Sequence, residues 1–287
     1  MTPNELALHP QTAVALRRLI ARPSHAVLLV GSVGSGKARL AQYITEMIMG
    51  NTIDDSPYVR IVRPSDTKSI GIEAIRELES FLALSVPRDG REIRRVIIIE
   101  DAQHLTEEAS NALLKTIEEP PADTILILTA TSEDAVLPTI QSRVQLFPVW
   151  PPEAADLLQH FKQQGYTDAA IKQALLVSGN LPGLTSALLS GDDSHPLVPA
   201  TAQARELLGM SLYERLSRVE VLSKQKDLFQ DTVFVLGQMS RTALKQTVNA
   251  TAATRWLKIM RSSYDSRDQM IRNTNLKLVV TSLMLNL

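Results

Sequence analysis

Apolar positions in the first half of the chain fall into two alternating rhythms. Short runs rich in branched residues, AVLLV (26–30), YVRIV (58–62), RRVIIIE (94–100) and TILILTA (124–130), predict strands, the first of the buried parallel kind. Between them lie segments with helical spacing. RLAQYITEMIM (39–49) places Leu40, Tyr43, Ile44, Met47 and Ile48 on one side. IEAIRELESFLAL (72–84) does the same with Ile75, Leu78 and Leu82, and EEASNALLKTIEE (107–119) is a third helix stopped by Pro120 and Pro121. Strand–helix repetition of this kind predicts a parallel, doubly wound α/β layer.

Beyond the cluster Phe147-Pro148-Val149-Trp150-Pro151-Pro152 the strand rhythm stops, and the cluster reads as a linker. Residues 153–190 predict two or three short helices, and 201–287 predict helix throughout. The expected division is an α/β domain over 1–149, a small helical lid over 150–199 and an all-α domain over 200–287.

Charge sharpens that division. The whole chain carries a net −1, but residues 201–287 hold 13 Lys+Arg against 7 Asp+Glu, and residues 1–200 hold 17 against 24. The helical C-terminal domain is therefore basic and the remainder acidic. Solvated helix faces are the plain explanation, and an acidic partner for the C-terminal domain is the sharper one. The absence of cysteine excludes disulfides, thiolate metal sites and cysteine nucleophiles. Aromatics at 4% argue against a base-stacking platform. His9, His25, His104, His160 and His195 are too dispersed to suggest a metal site. Apolar runs such as VIII (96–99) fall far short of the roughly 20 residues a membrane helix needs. With no basic-then-apolar segment in MTPNELALHPQ, a soluble cytoplasmic chain that does not meet the membrane is expected.

The chemistry lies in GSVGSGKA (31–38), between a predicted strand and a predicted helix. That context suits a phosphate-binding loop, in which backbone N–H groups and the helix N-terminus hold phosphate oxygens. Gly31, Gly34 and Gly36 permit the tight turn, Ser35 lies within it, and Lys37 supplies the cation. Ala38 occupies the position where Ser or Thr would ligate Mg²⁺, so ATP with magnesium is expected to bind weakly. The strand VIII ends in Glu100 and Asp101, an acidic pair in the reverse of the usual Asp–Glu order. Two acids capping the following helix is the plain alternative. A carboxylate displaced by ~1 Å can cost ~100-fold in rate, so both departures predict poor hydrolysis.

The string NALLKTIEEPPADTILILTATSEDAVLPTIQSRVQLFP (111–148) resembles the central segment of AAA+ clamp-loader subunits. Those read A-L-L-K-x-L/I-E-E-P-P after the acidic strand, then a sensor strand, then P-x-I-x-S-R-C. SHAVLLVGSVGSGK (24–37), KSIGIEAIREL (68–78) and NTNLKLVVTSLMLNL (273–287) are similar to further family segments, the last to its collar helix. Within the family the likeness is to the delta-prime group. The resemblance implies an AAA+ domain, a lid and a C-terminal collar that assembles subunits. It implies Arg143, in Ser142-Arg143-Val144, as an arginine finger acting in trans, and Thr131 as the sensor 1 position. No arginine stands in SGNLPGLTS (178–186), where a sensor 2 residue is expected, and the short NTIDDSP (51–57) leaves no room for the zinc-binding cysteines of many relatives. Implied partners are gamma/tau-type and delta subunits, the sliding clamp and primer–template DNA, with Lys68, Ser69 and Arg76 as candidate DNA contacts. A delta-prime-like subunit, not an efficient ATPase alone, is the expected function. An ATP-hydrolysing gamma/tau-type motor is the alternative, and an unrelated P-loop protein would leave 111–143 unexplained.

Overall fold

The computed structural model describes residues 6–53, 56–65, 69–84, 86–87 and 92–287. It separates into two compact units, Met1–Pro151 and Pro152–Leu287. The first contains a five-stranded sheet in the order β2-β3-β4-β1-β5, with every pairing parallel. Its strands are β1 (Ala26–Val30), β2 (Val59–Val62), β3 (Arg95–Ile99), β4 (Thr124–Ala130) and β5 (Gln145–Pro148). Helices α1 (Pro10–Ala21), α2 (Lys37–Met49), α3 (Ile72–Leu82), α4 (Glu107–Glu118) and the short α5 (Pro138–Gln141) connect or precede them.

The continuous apolar runs are explained by burial on both faces. Alternate residues of β1, β3 and β4 enter two separate cores. Ala26, Leu28, Ile97, Ile99, Leu126 and Leu128 pack with Ile75, Leu78, Leu113 and Ile117 of α3 and α4. Val27, Leu29, Val96, Ile98, Ile125 and Ile127 pack with Leu16 and Leu19 of α1 and Leu40, Tyr43 and Ile44 of α2. No polar face remains on the central strands, so their sequence does not alternate.

Two elements depart from the sequence expectation. The stretch that reads as the start of a linker contains β5, which pairs with β1 in the register Val27↔Gln145 to Val30↔Pro148. It is an edge strand, where a proline is tolerated because one side needs no ladder donor. Helix α1, unassigned in the sequence, starts with proline at its first position and is capped by the His9 side chain, which accepts from the Gln11 N–H.

The second unit is helical: α6 (Ala154–Gln163), α7 (Asp168–Ser178), α8 (Pro182–Ser190), α9 (Leu197–Gly209), α10 (Leu212–Ser217), α11 (Val219–Leu222), α12 (Lys226–Gln246), α13 (Ala250–Ile271) and α14 (Leu276–Asn286). The segments expected as lid and collar lie together in it. Helix α12 packs against α7, α9 and α13, and α13 against α14. Gly179 ends α7 in a left-handed conformation, where an added Cβ would lie 2.4 Å from Cβ of Gln238 on α12. Glycine is required there by both backbone and space. Among the described residues no helix is long and apolar enough to cross a membrane.

Candidate functional site

A parallel sheet delivers the carboxyl ends of its strands to one edge, and the loops that follow them meet there. Gly31 follows β1, Glu100 and Asp101 follow β3, and Thr131 follows β4. The loop 31–36 runs straight into α2, with Gly34 at φ 78° and Gly36 at φ 85°. A side chain at Gly31 would put its Cβ 2.9 Å from Ser35 Oγ and 3.0 Å from the Val149 carbonyl oxygen, so the cradle closes only around glycine.

Lys37 is turned into this loop. Its Nζ donates to the carbonyls of Gly31 at 2.7 Å and Ser32 at 3.0 Å. Burial pushes its pKa down from 10.5 to about 8, against the opposing pull of the Asp101 carboxylate. Ser35 Oγ is buried and has no hydrogen-bond partner among the described residues. An orphaned hydroxyl beside a buried lysine and glycine-bound N–H groups is a set that fits phosphate. Ala38 contributes no ligand, so the loop fits magnesium less well than it fits the anion.

The acidic pair is divided between two tasks. Arg63, just after β2, donates from Nε and Nη2 to the two Glu100 oxygens at 2.9 and 3.2 Å. Asp101 is the acid whose charge is felt by Lys37. Its backbone is left-handed at φ 54°, uncommon for a non-glycine residue. Its N–H donates to Thr129 Oγ1 at 2.9 Å, and Gln103 Nε2 donates to its carboxylate at 3.2 Å. Thr129 is the penultimate residue of β4 and buried, whereas Thr131 lies just beyond the strand. Thr129 thus reaches Asp101 through the Asp101 backbone N–H. Motif spacing alone revealed neither it nor Arg63, because both meet the acids across strand register and not along the chain.

Arg143 belongs to the opposite edge. It lies two residues before the start of β5, and the β5 register sets Gln145 beside Val27 near the beginning of β1. Five residues of β1 separate that edge from the phosphate loop, about 17 Å at ~3.4 Å per residue. Arg143 lines a shallow cleft of about 780 Å3 with Ser24, His25, Glu118, Ser142 and Gln145. Its Nε donates to Glu118 Oε1 at 2.6 Å. The structure therefore brings the loop, Lys37 and Asp101 together and holds Arg143 well beyond side-chain reach of them.

The candidate DNA contacts are less distinctive. The Ser69 carbonyl accepts from the Ser65 N–H and hydroxyl, and Arg76 pairs with Glu73 at 2.7 Å on the exposed side of α3. Lys68 lies outside the described residues. Arg94 and Arg95 both pair with Asp123, at 2.8 and 2.6 Å.

The sequence model of the family described as DNA polymerase III, delta subunit, matches residues 12–153. The DNA polymerase III subunit delta' of Escherichia coli K12 is 32% identical over 156 residues, 54% of this chain and 43% of that protein. Its namesake in Pseudomonas aeruginosa is 30% identical over 193 residues, 60% of this chain and 57% of that one. This chain spans about half the length of these curated relatives. A crystal structure of a DNA polymerase III gamma subunit-related protein from Thermotoga maritima has a TM-score of 0.53 at 20% identity, covering 96% of this chain and 97% of that one, which shows the shared fold. Over residues 12–153, which carry the 5-stranded parallel sheet and the phosphate loop, the chain is related to the delta-prime subunits of DNA polymerase III.

Proposed function

We propose that this chain is a delta-prime-like clamp-loader subunit, which helps load the sliding clamp onto primed DNA during replication. It supplies Arg143 in trans to ATP held by a neighbouring gamma/tau-type subunit and hydrolyses little ATP itself. One observation carries this reading: Arg143 lines an open cleft at the sheet edge opposite the chain's own phosphate loop. An arginine so far from its own loop can serve a nucleotide only if another subunit brings it. At such a position the guanidinium would stabilise charge building on a γ-phosphate, which in related phosphoryl transfers is worth ~10³–10⁵-fold in kcat.

The chain's own site favours holding an anion over turning it over. Lys37, Ser35 and the glycine loop form the cradle. Ala38 lacks a metal-binding hydroxyl, and Glu100 is already occupied by Arg63. The lid, the collar, the delta and gamma/tau-type partners, the clamp and the primer–template DNA enter this reading through the family, with Lys68, Ser69 and Arg76 as the DNA-contact candidates. The intact lysine and loop favour a second reading, an ATP-hydrolysing motor of the gamma/tau type.

Reconstitution with gamma/tau-type, delta and clamp subunits separates the two. On the first reading the purified chain is nearly inert toward ATP, and Arg143→Ala lowers the DNA-stimulated ATPase of the complex at least ~10-fold without loss of assembly. Robust hydrolysis by the chain alone would establish the motor instead. An unchanged complex rate in Arg143→Ala would remove the trans-acting arginine.

A further inference from the structure

The cleft that holds Arg143 also holds an acid that motif spacing did not single out. A guanidinium has five N–H donors, one on Nε and two on each Nη. In this chain Nε donates to Glu118 Oε1 at 2.6 Å, and Nη1 donates to the Thr139 carbonyl at 3.0 Å and to Ser142 Oγ at 3.1 Å. Among the described residues nothing accepts from Nη2. The pair is half-exposed, with side-chain exposures of 39% for Arg143 and 48% for Glu118. A pair this exposed adds little to folding, so stability is not its main consequence. Its geometry matters more. A fork–fork pair would have consumed two guanidinium nitrogens, whereas this carboxylate takes only Nε. The carbonyl and hydroxyl on Nη1 fix the plane, and the remaining nitrogen keeps both its hydrogens.

We infer that Glu118 is a positioning residue: it anchors Arg143 through Nε and leaves Nη2 for a phosphate oxygen on a neighbouring subunit's nucleotide. The inference rests on the proposed trans role of Arg143. It has a definite sign, because an acid that merely occupied the arginine would slow the complex, and its removal would speed it.

Two measurements test it, both on the full chain. In the reconstituted complex, Glu118→Ala should lower kcat for ATP ~10-fold with KM held within about twofold, since a misplaced group costs rate more than binding. Glu118→Gln, whose amide oxygen still accepts from Nε, should recover most of that loss. In the isolated chain, the Arg143 Nε–H resonance should exchange slowly with solvent, and Glu118→Ala should abolish that protection. An unchanged or raised kcat in Glu118→Ala overturns the inference, as does an Nε–H already unprotected in the parent chain. Either result leaves the trans role standing if Arg143→Ala still slows the complex. If Arg143→Ala is harmless, both fall together.

Discussion

Lys37 shows how one residue couples the phosphate loop to pH. Its ammonium is buried and bonded to two carbonyls of its own loop, and burial pushes its pKa down to about 8. The folded value lies below the ordinary 10.5, so between the two the folded chain has lost a proton that the unfolded chain keeps. Lys37 therefore disfavours folding below about pH 8, and that penalty is relieved as pH rises toward 10.5. Anion binding has the opposite slope, because phosphate needs the charged form. Affinity for a fluorescent ADP should be flat up to about pH 8. It should then fall by as much as ~10-fold per pH unit, the limit for one linked proton. Lys37→Met should bind weakly at every pH without that break. A titration series from neutral to alkaline pH checks this, and a parent chain with no alkaline decline would show that Lys37 does not contact the anion.

Among the elements, the loop after α4 has the clearest mechanical role. Asp123 stands between α4 and β4, accepts from Arg95 at 2.6 Å and is ion-paired with Arg94 at 2.8 Å, and Arg95 also donates to the carbonyls of Leu82 and Leu84 at the end of α3. Burial alone would raise the Asp123 carboxyl, but the Arg95 hydrogen bond and the charges of Arg95 and Arg94 hold it below the usual carboxylate range. A depressed carboxyl stabilises the fold above its unfolded pKa, and that stability is lost as pH falls through the folded value. Asp123→Asn, which strands a buried guanidinium, should cost about 3 kcal/mol at neutral pH by urea unfolding, with the difference shrinking in acid. A neutral-pH difference near zero would mean that the cluster is dispensable. None of this was legible in the sequence, because Arg95 and Asp123 lie 28 positions apart and meet only in the fold. What was legible is what depends on local pattern. The buried strands β1, β3 and β4 show as apolar runs, and the loop glycines and Lys37 as fixed spacing. Strand β5 was hidden because an edge strand exposes Gln145, Leu146 and Pro148 and so loses the apolar signature. Helix α1 buries only three of its twelve residues and is similarly faint.

For the molecule as a whole, the decisive fact is the polarity of the parallel sheet. Strand ends carry the phosphate loop and Asp101 at one edge, and the segment before β5 carries Arg143 at the other. On the proposed reading, one chain holds two halves of a phosphoryl-transfer site that it cannot bring together. Two deficits then differ in kind. The missing hydroxyl at Ala38 is local and repairable, whereas the missing arginine is topological. Ala38→Thr should therefore strengthen magnesium-dependent nucleotide binding by the isolated chain, since it restores the absent oxygen ligand. It should leave hydrolysis by that chain near background. The guanidinium nearest the acids belongs to Arg63 and is held by Glu100, and a supplied arginine is worth ~10³–10⁵-fold in such reactions. Calorimetry with and without Mg²⁺, beside a phosphate-release assay on the same sample, measures both halves. Tighter binding with unchanged turnover is the expected pair. A large rise in turnover from Ala38→Thr alone would mean that the chain needs no arginine from outside, and the reading of Arg143 as a group exported to a neighbour would lose its physical basis.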